Sequence, residues 1–211
     1  LTKKQFYEKL EKTKAQVTTS QPAPQDFIEV YGRLLEDYQS IISIHISQKM
    51  SGTFNSAQIA KRKFPNSDIE IIDSELVHMP LGLLVIKAAE LALKNRPKEE
   101  IIDAVQELRQ KIKVLFIPHT LKYMIKSGRI GRAKGLIASL LEIRPILTFH
   151  KGETSQFKTT RRFGQAKDEL IKSMKGMIKD TNNLTVIVSD SDAKAEGDMM
   201  AQRIKEAFSP R

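Results

Sequence analysis

Apolar residues fall in short runs and stripes along the chain, and their spacing predicts strand and helix in alternation. The β-branched run Ile41-Ile42-Ser43-Ile44-His45-Ile46 has the length and composition of a buried strand. Phe54 to Lys63 reads as a helix that ends in three cations, as the helix macrodipole prefers. A second β-branched run, Ile69 to Ile72, follows Pro65-Asn66-Ser67. The unit is therefore strand–helix–strand, and its two strands are predicted parallel. Ahead of it, helical spacing predicts helices over 1–14, with Phe6 and Leu10 on one stripe, and over 25–38, with Phe27, Val30, Tyr31 and Leu34. Pro24 suits the first turn of the second helix. Gln21 and Ala23 each precede a proline and are predicted extended.

Downstream, the same reading predicts a strongly apolar helix over 81–94 and a helix over 97–111 with Ile101, Ile102, Val105 and Leu108 inward. Val114 to Ile117 is a predicted strand, 121–127 a short helix ended by Gly128, and 133–141 a helix rich in small residues. A strand over 143–149 carries Pro145, which places it at an edge or starts it after the proline. Lys151-Gly152 is a turn, 157–162 a partner strand, 165–179 a helix and 184–188 a strand. The closing helix, 195–208, sits behind Asp190-Ser191-Asp192, which reads as a helix cap rather than a metal site. Strands alternating with helices throughout define an α/β fold class.

The chain has 211 residues, enough for one large domain or two small ones. It has no cysteine, which excludes disulfides and thiolate chemistry and fits a reducing cytosol. No apolar run approaches the ~18–20 residues of a membrane-spanning helix. The net charge of +10 raises nucleic acid as a partner. However, the cations are interleaved with acids, as in Lys98-Glu99-Glu100, there is no tryptophan, and no basic–aromatic alternation is present to stack bases. The excess charge reads as a solvated surface suited to an acidic partner or a transient membrane contact.

Candidate chemistry begins where the first strand turns polar, at Ser47 and then Ser51-Gly52-Thr53. A helix opened by these residues presents free N–H groups with hydroxyls beside them, a site for a phosphate or carboxylate. Gly52 lets a ligand approach the backbone. Simple capping by Ser51 or Thr53 is the competing reading. Thr19-Ser20 is a second hydroxyl cluster ahead of a helix. His45 and Ser47 share one strand face without an evident orienting carboxylate, so a hydrolytic triad is not supported. There is no phosphate loop, dinucleotide fingerprint or Gly-x-Ser-x-Gly elbow. Autonomous catalysis is accordingly not expected.

Five segments in fixed order carry more weight together. They are Thr-Ser-Gln-Pro at 19–22, Ile-x-Ile-x-Ile-Ser-x-x-x-Ser-Gly-Thr ending at Thr53, Asp73-Ser74, Ser-Gly-Arg-Ile at 127–130 and Ile-Arg-Pro-Ile-Leu at 143–147. Together they resemble the DegV family of bacterial fatty-acid-binding proteins, which includes the binding subunit of fatty acid kinase. The resemblance implies two α/β domains, here 1–112 and 113–211, with a long-chain fatty acid such as palmitate buried between them and no covalent cofactor. It implies a carboxylate held by Thr19 and Ser51, with Ser20, Gly52 and Thr53 completing the set. Arg129 matches the family arginine implicated in acyl phosphate formation or kinase engagement, although the first glycine of that segment is Ser127 here. The implied partner is a separate ATP-dependent kinase subunit, and the implied location is the cytoplasm. The family's opening strand with an aspartate–serine pair and its C-terminal histidine–glycine segment are not found, so material is expected to be missing at both ends. The alternative is a phosphate-directed enzyme that uses the same helix terminus with Arg129 and Arg132. Leu81–Leu93 and Leu136–Leu147 supply apolar residues suited to lining a tunnel.

Overall fold

The computed structural model describes residues 1–15, 17–139 and 143–209, and of 136–139 the backbone alone. Two small sheets anchor it. In the first, β1 (Ser40–His45) runs parallel to β2 (Asp68–Asp73), in register from Ser40↔Asp68 to His45↔Asp73. The period-2 alternation of the strands sorts their side chains to two faces. Ile41, Ile69 and Ile71 join Tyr31, Ala57 and Ala60 under α2 (Pro24–Asp37) and α3 (Thr53–Lys61). Ile42, Ile44 and Ile72 face the other way, against Leu84, Ile101 and Val105 of α4 (His78–Ala92) and α5 (Lys98–Lys111). A parallel sheet covered on both faces accounts for the nearly continuous isoleucine runs.

The helix boundaries follow local chemistry. α1 (Lys3–Lys12) starts at a Thr2–Gln5 capping box. Pro24 opens α2, where its missing N–H has no partner to lose, and Ala23 before it is extended as predicted. α4 begins three residues before the predicted Leu81. Pro80 falls in its first turn, where a proline is tolerated.

In the second sheet, β3 (Arg144–His150) pairs antiparallel with β4 (Glu153–Thr160) across the Lys151-Gly152 turn. Pro145 sits within β3, opposite Thr159. α7 (Phe163–Met177) packs on this hairpin, and α8 (Lys194–Phe208) packs on α7 through Ile171, Met200, Ile204 and Phe208. α6 (Lys122–Ser127) ends at Gly128 in the left-handed region, and a 3-10 helix runs from Gly131 to Ser139.

Three predictions need correction. The strand over 114–117 is reduced to one antiparallel bridge, Phe116↔Leu147. The next bonded pair would be Pro118 opposite Pro145, and neither proline has an N–H to donate. The segment 184–188 forms no ladder among the described residues. Leu184 and Val186 turn inward while Ile187 and Val188 stay exposed, so the alternation of a strand is present without a backbone partner. The helix expected over 133–141 is the tighter 3-10 form, and its predicted end at 140–141 lies outside the described residues.

A cleft between two loops from opposite halves of the chain

At the C-terminal end of β1 the chain turns on Ser47, whose carbonyl accepts the N–H groups of Met50 and Ser51 at 2.9 and 3.0 Å. The turn delivers Ser51 to the start of α3. Gly52 is the N-cap residue and has an ordinary negative φ. The Ser51 hydroxyl lies 2.8 Å from that of Thr53 and accepts the Thr53 N–H at 3.3 Å. Ser51 thus satisfies the first helical N–H from the position before the N-cap, but no side chain occupies the cap itself, so the capping expected of Ser51 or Thr53 is not formed.

The close approach expected at Gly52 is made by the chain itself. A Cβ there would meet the Gln21 side-chain amide at 2.9 Å. Gln21 belongs to segment 17–23, which has no regular secondary structure and which the Asp26 carboxylate anchors by accepting the Ala23 N–H at 2.8 Å. This segment brings Thr19 and Ser20 beside Ser51. From the other half of the chain, Gly128 reverses α6 and presents Arg129 to the same place.

Together these residues enclose a cleft of about 400 Å³. Thr19, Ser20, Gln21, Ser51 and Arg129 form its polar wall, while Ile46, Met50 and Val77 form its apolar wall. That volume falls within the roughly 300–1,000 Å³ usual for small-molecule sites. Four of the six residues singled out from sequence meet here. Gly52 and Thr53 lie one step behind the wall, at the helix start. Sequence reasoning missed Gln21, Met50 and Val77 as site residues. Gln21 was visible in the Thr-Ser-Gln-Pro motif, but Val77 carried no signal. A second cavity, of about 490 Å³, lies among Leu121, Ile125, Ile143 and Pro145 with Lys122, Lys126 and Arg144 and shares no residue with the first.

Arg129 is exposed, and among the described residues no carboxylate pairs with it. Its guanidinium donates to the Ser127 carbonyl at 2.5 Å, and the rest of its donors face solvent and the cleft. With no acid partner among the described residues, this guanidinium is a natural counter-charge for an anion.

Directly behind Ile46, a buried relay runs through β1. The Tyr31 hydroxyl donates to Ser43 at 2.8 Å, and Ser43 meets His45 Nε2 at 2.7 Å. Burial pushes the Tyr31 phenol up, with the Ser43 hydrogen bond acting against it. Burial holds the His45 imidazole below its usual 6.5, partly offset by the charge of Asp73 opposite it. His45 therefore engages Ser43, while the Ser47 hydroxyl is directed to the carbonyl of Gly152 at 2.7 Å. The two do not form a nucleophile–base pair. Asp190 accepts the Ala193 N–H at 3.0 Å, but Ala193 is itself the N-cap residue of α8 and no side chain caps that helix, so the cap expected from Asp190-Ser191-Asp192 is replaced by a turn ahead of it.

The chain is an α/β protein, and its sequence and fold match one family. The family model described as "Uncharacterised protein, DegV family" matches residues 1–211, and the chain belongs to that family. A DegV domain-containing protein of Clostridium acetobutylicum is 35% identical over 210 residues, which cover 96% of this chain and 72% of the relative. A DegV family protein from Thermus thermophilus, described as fatty-acid binding, superposes with a TM-score of 0.87 at 29% identity, over all of this chain and 75% of that one. The fatty acid binding DegV family protein from Streptococcus agalactiae matches with a TM-score of 0.88 at 25% identity, over 98% of this chain and 74% of that one.

Proposed function

We infer that this chain binds a long-chain fatty acid, such as palmitate, with the carboxylate in the cleft at Thr19 and Ser51 and beside Arg129. The observation that carries the reading is the convergence of the hydroxyls and a guanidinium on one cleft with apolar residues. Fatty acid binding by the similar Thermus and Streptococcus proteins supports it. Burying ~15 methylenes at ~0.8 kcal/mol each contributes roughly 12 kcal/mol gross. A hydrogen bond to a charged group adds only about 1.5–3 kcal/mol. The apolar path of the tail sets affinity, and the cleft residues set orientation.

On this reading the chain is organised as lobes 1–112 and 113–211 with the ligand between them. It is a carrier that presents the carboxylate to a separate ATP-dependent kinase for acyl phosphate formation, with Arg129 at the exposed rim where the kinase would engage. The phosphate-directed alternative is less well supported. At the start of α3 the Ser51 and Thr53 hydroxyls already bond each other, and Gln21 occupies the approach to Gly52.

Native mass spectrometry of protein purified from a bacterial host without lipid removal tests the central claim. The expected result is one co-purified fatty acid per chain, retained but exchanged faster in Ser51→Ala and Arg129→Ala. A lipid-free protein that also fails to take up palmitate would sink the reading. ATP or sugar-phosphate turnover by the chain alone would favour the enzyme.

A further inference from the structure

Two loops of the cleft's polar wall are fastened to a common third element. The loop bearing Ser51 and the loop bearing Arg129 come from opposite halves of the chain, and both attach to the β3–β4 turn and the first residues of β4. On one side Ser47, fully buried, donates its hydroxyl to the Gly152 carbonyl at 2.7 Å. The Ser47 carbonyl in turn holds the Ser51 N–H at 3.0 Å. On the other side Thr154, also fully buried, donates its hydroxyl to the Arg129 carbonyl at 3.2 Å. Arg132 reaches Glu153 at 3.7 Å beside it.

The fit at both contacts leaves no room for a methyl group. Gly152 has φ +78°, and a Cβ there would lie 2.5 Å from the Ser47 hydroxyl. Gly131 has φ +52°, and a Cβ there would lie 2.6 Å from the Thr154 carbonyl oxygen. Positive φ and close approach together call for glycine at both positions. None of residues 151–154 lines the cleft.

We propose that the β3–β4 turn is a bracket that fixes the separation of Ser51 and Arg129, with Ser47 and Thr154 as positioning residues acting through Ser51 and Arg129 respectively. The proposal rests on the carboxylate-binding reading for its ligand, but its geometry can be tested without one. The chain has no cysteine, so a Gln48→Cys/Lys126→Cys pair accepts two spin labels cleanly. Both positions are exposed, one on each loop system. The label-to-label distance in lipid-free protein should be narrowly distributed. It should broaden in Ser47→Ala and Thr154→Val and narrow again in Thr154→Ser.

Titration with palmitate then reads the consequence. Thr154→Val should weaken binding about three- to tenfold, the loss expected for one hydrogen bond, with Thr154→Ser restoring it. The Thr154→Val effect should vanish in an Arg129→Ala background and persist in a Ser51→Ala background. The Ser47→Ala effect should show the reverse dependence. Equal effects in both backgrounds, or an unbroadened distance in folded Thr154→Val, would overturn the bracket. If Thr154→Val does not fold, Ser47→Ala tests the same bracket from the other end, and an unbroadened distance there overturns it. If the wild type shows a narrow distance that broadens in the variants yet binds no palmitate, the bracket stands and the fatty-acid reading falls.

Discussion

Replacing Gly152 with alanine gives the most demanding test of how the two halves of the chain meet. Gly152 is buried with φ +78°, a conformation that costs an L-residue about 1–2 kcal/mol. The added methyl would lie 2.5 Å from the Ser47 hydroxyl and 3.5 Å from the Ser47 Cβ, well inside contact distance. Ser47 cannot retreat easily, because its backbone is bonded to Leu76, Met50 and Ser51. Overpacking of this kind costs about 1–3 kcal/mol. The sum, about 2–5 kcal/mol, corresponds to a fall in melting temperature on the order of 10 °C for a chain of this size. Calorimetry on delipidated protein should show it, since bound fatty acid would raise the midpoint by mass action. Ser47→Gly removes the obstructing atoms. In that background the penalty of Gly152→Ala should shrink to the backbone part, about 1–2 kcal/mol. A midpoint within about 2 °C of wild type, or a penalty that ignores Ser47, would show that the hairpin does not press on this loop.

Four further outcomes follow from the same geometry. His45 is held neutral by burial, so the unfolded chain takes up a proton on this ring before the folded one does. Stability should hold above pH 6.5 and decline as the pH falls through 6.5 toward the lowered folded value, and His45→Gln should flatten that slope in thermal melts. Tyr31→Phe removes the donor to Ser43 and should destabilise by about 0.5–1.5 kcal/mol in urea titrations. Gly52→Ala displaces only the exposed, flexible Gln21, so the melting temperature should move by less than about 2 °C while palmitate binding weakens about three- to tenfold. Leu84→Ala, at a fully buried position between α4 and the sheet, should cost about 2–5 kcal/mol without changing which fatty acid is bound.

Local order was largely legible in the sequence because its causes are local. The isoleucine runs specified β1 and β2 and their parallel pairing, and Pro24, Gly128 and Lys151-Gly152 marked turns that the structure contains. What could not be read depended on distant partners. Val114 to Ile117 has strand composition, yet it makes only the Phe116↔Leu147 bridge, and continuation past it would set Pro118 opposite Pro145, some thirty residues on. Leu184 to Val188 has the alternation but no neighbour among the described residues. At the cleft, Thr19, Ser51 and Arg129 line one cavity, and each lies within a recognisable short segment. Ser47 reads in the sequence as a polar residue at the end of a strand. Its role as a tie to Gly152, 105 positions away, depends on tertiary folding that no local pattern encodes.

Lys3, at the start of α1, pairs with Asp190 at 2.5 Å. It fastens α1 to the half containing α8, whereas α2 packs beneath β1. Thr19, Ser20 and Gln21 lie on the stretch between α1 and α2, so this side of the cleft is strung between two anchored helices rather than seated on either of them.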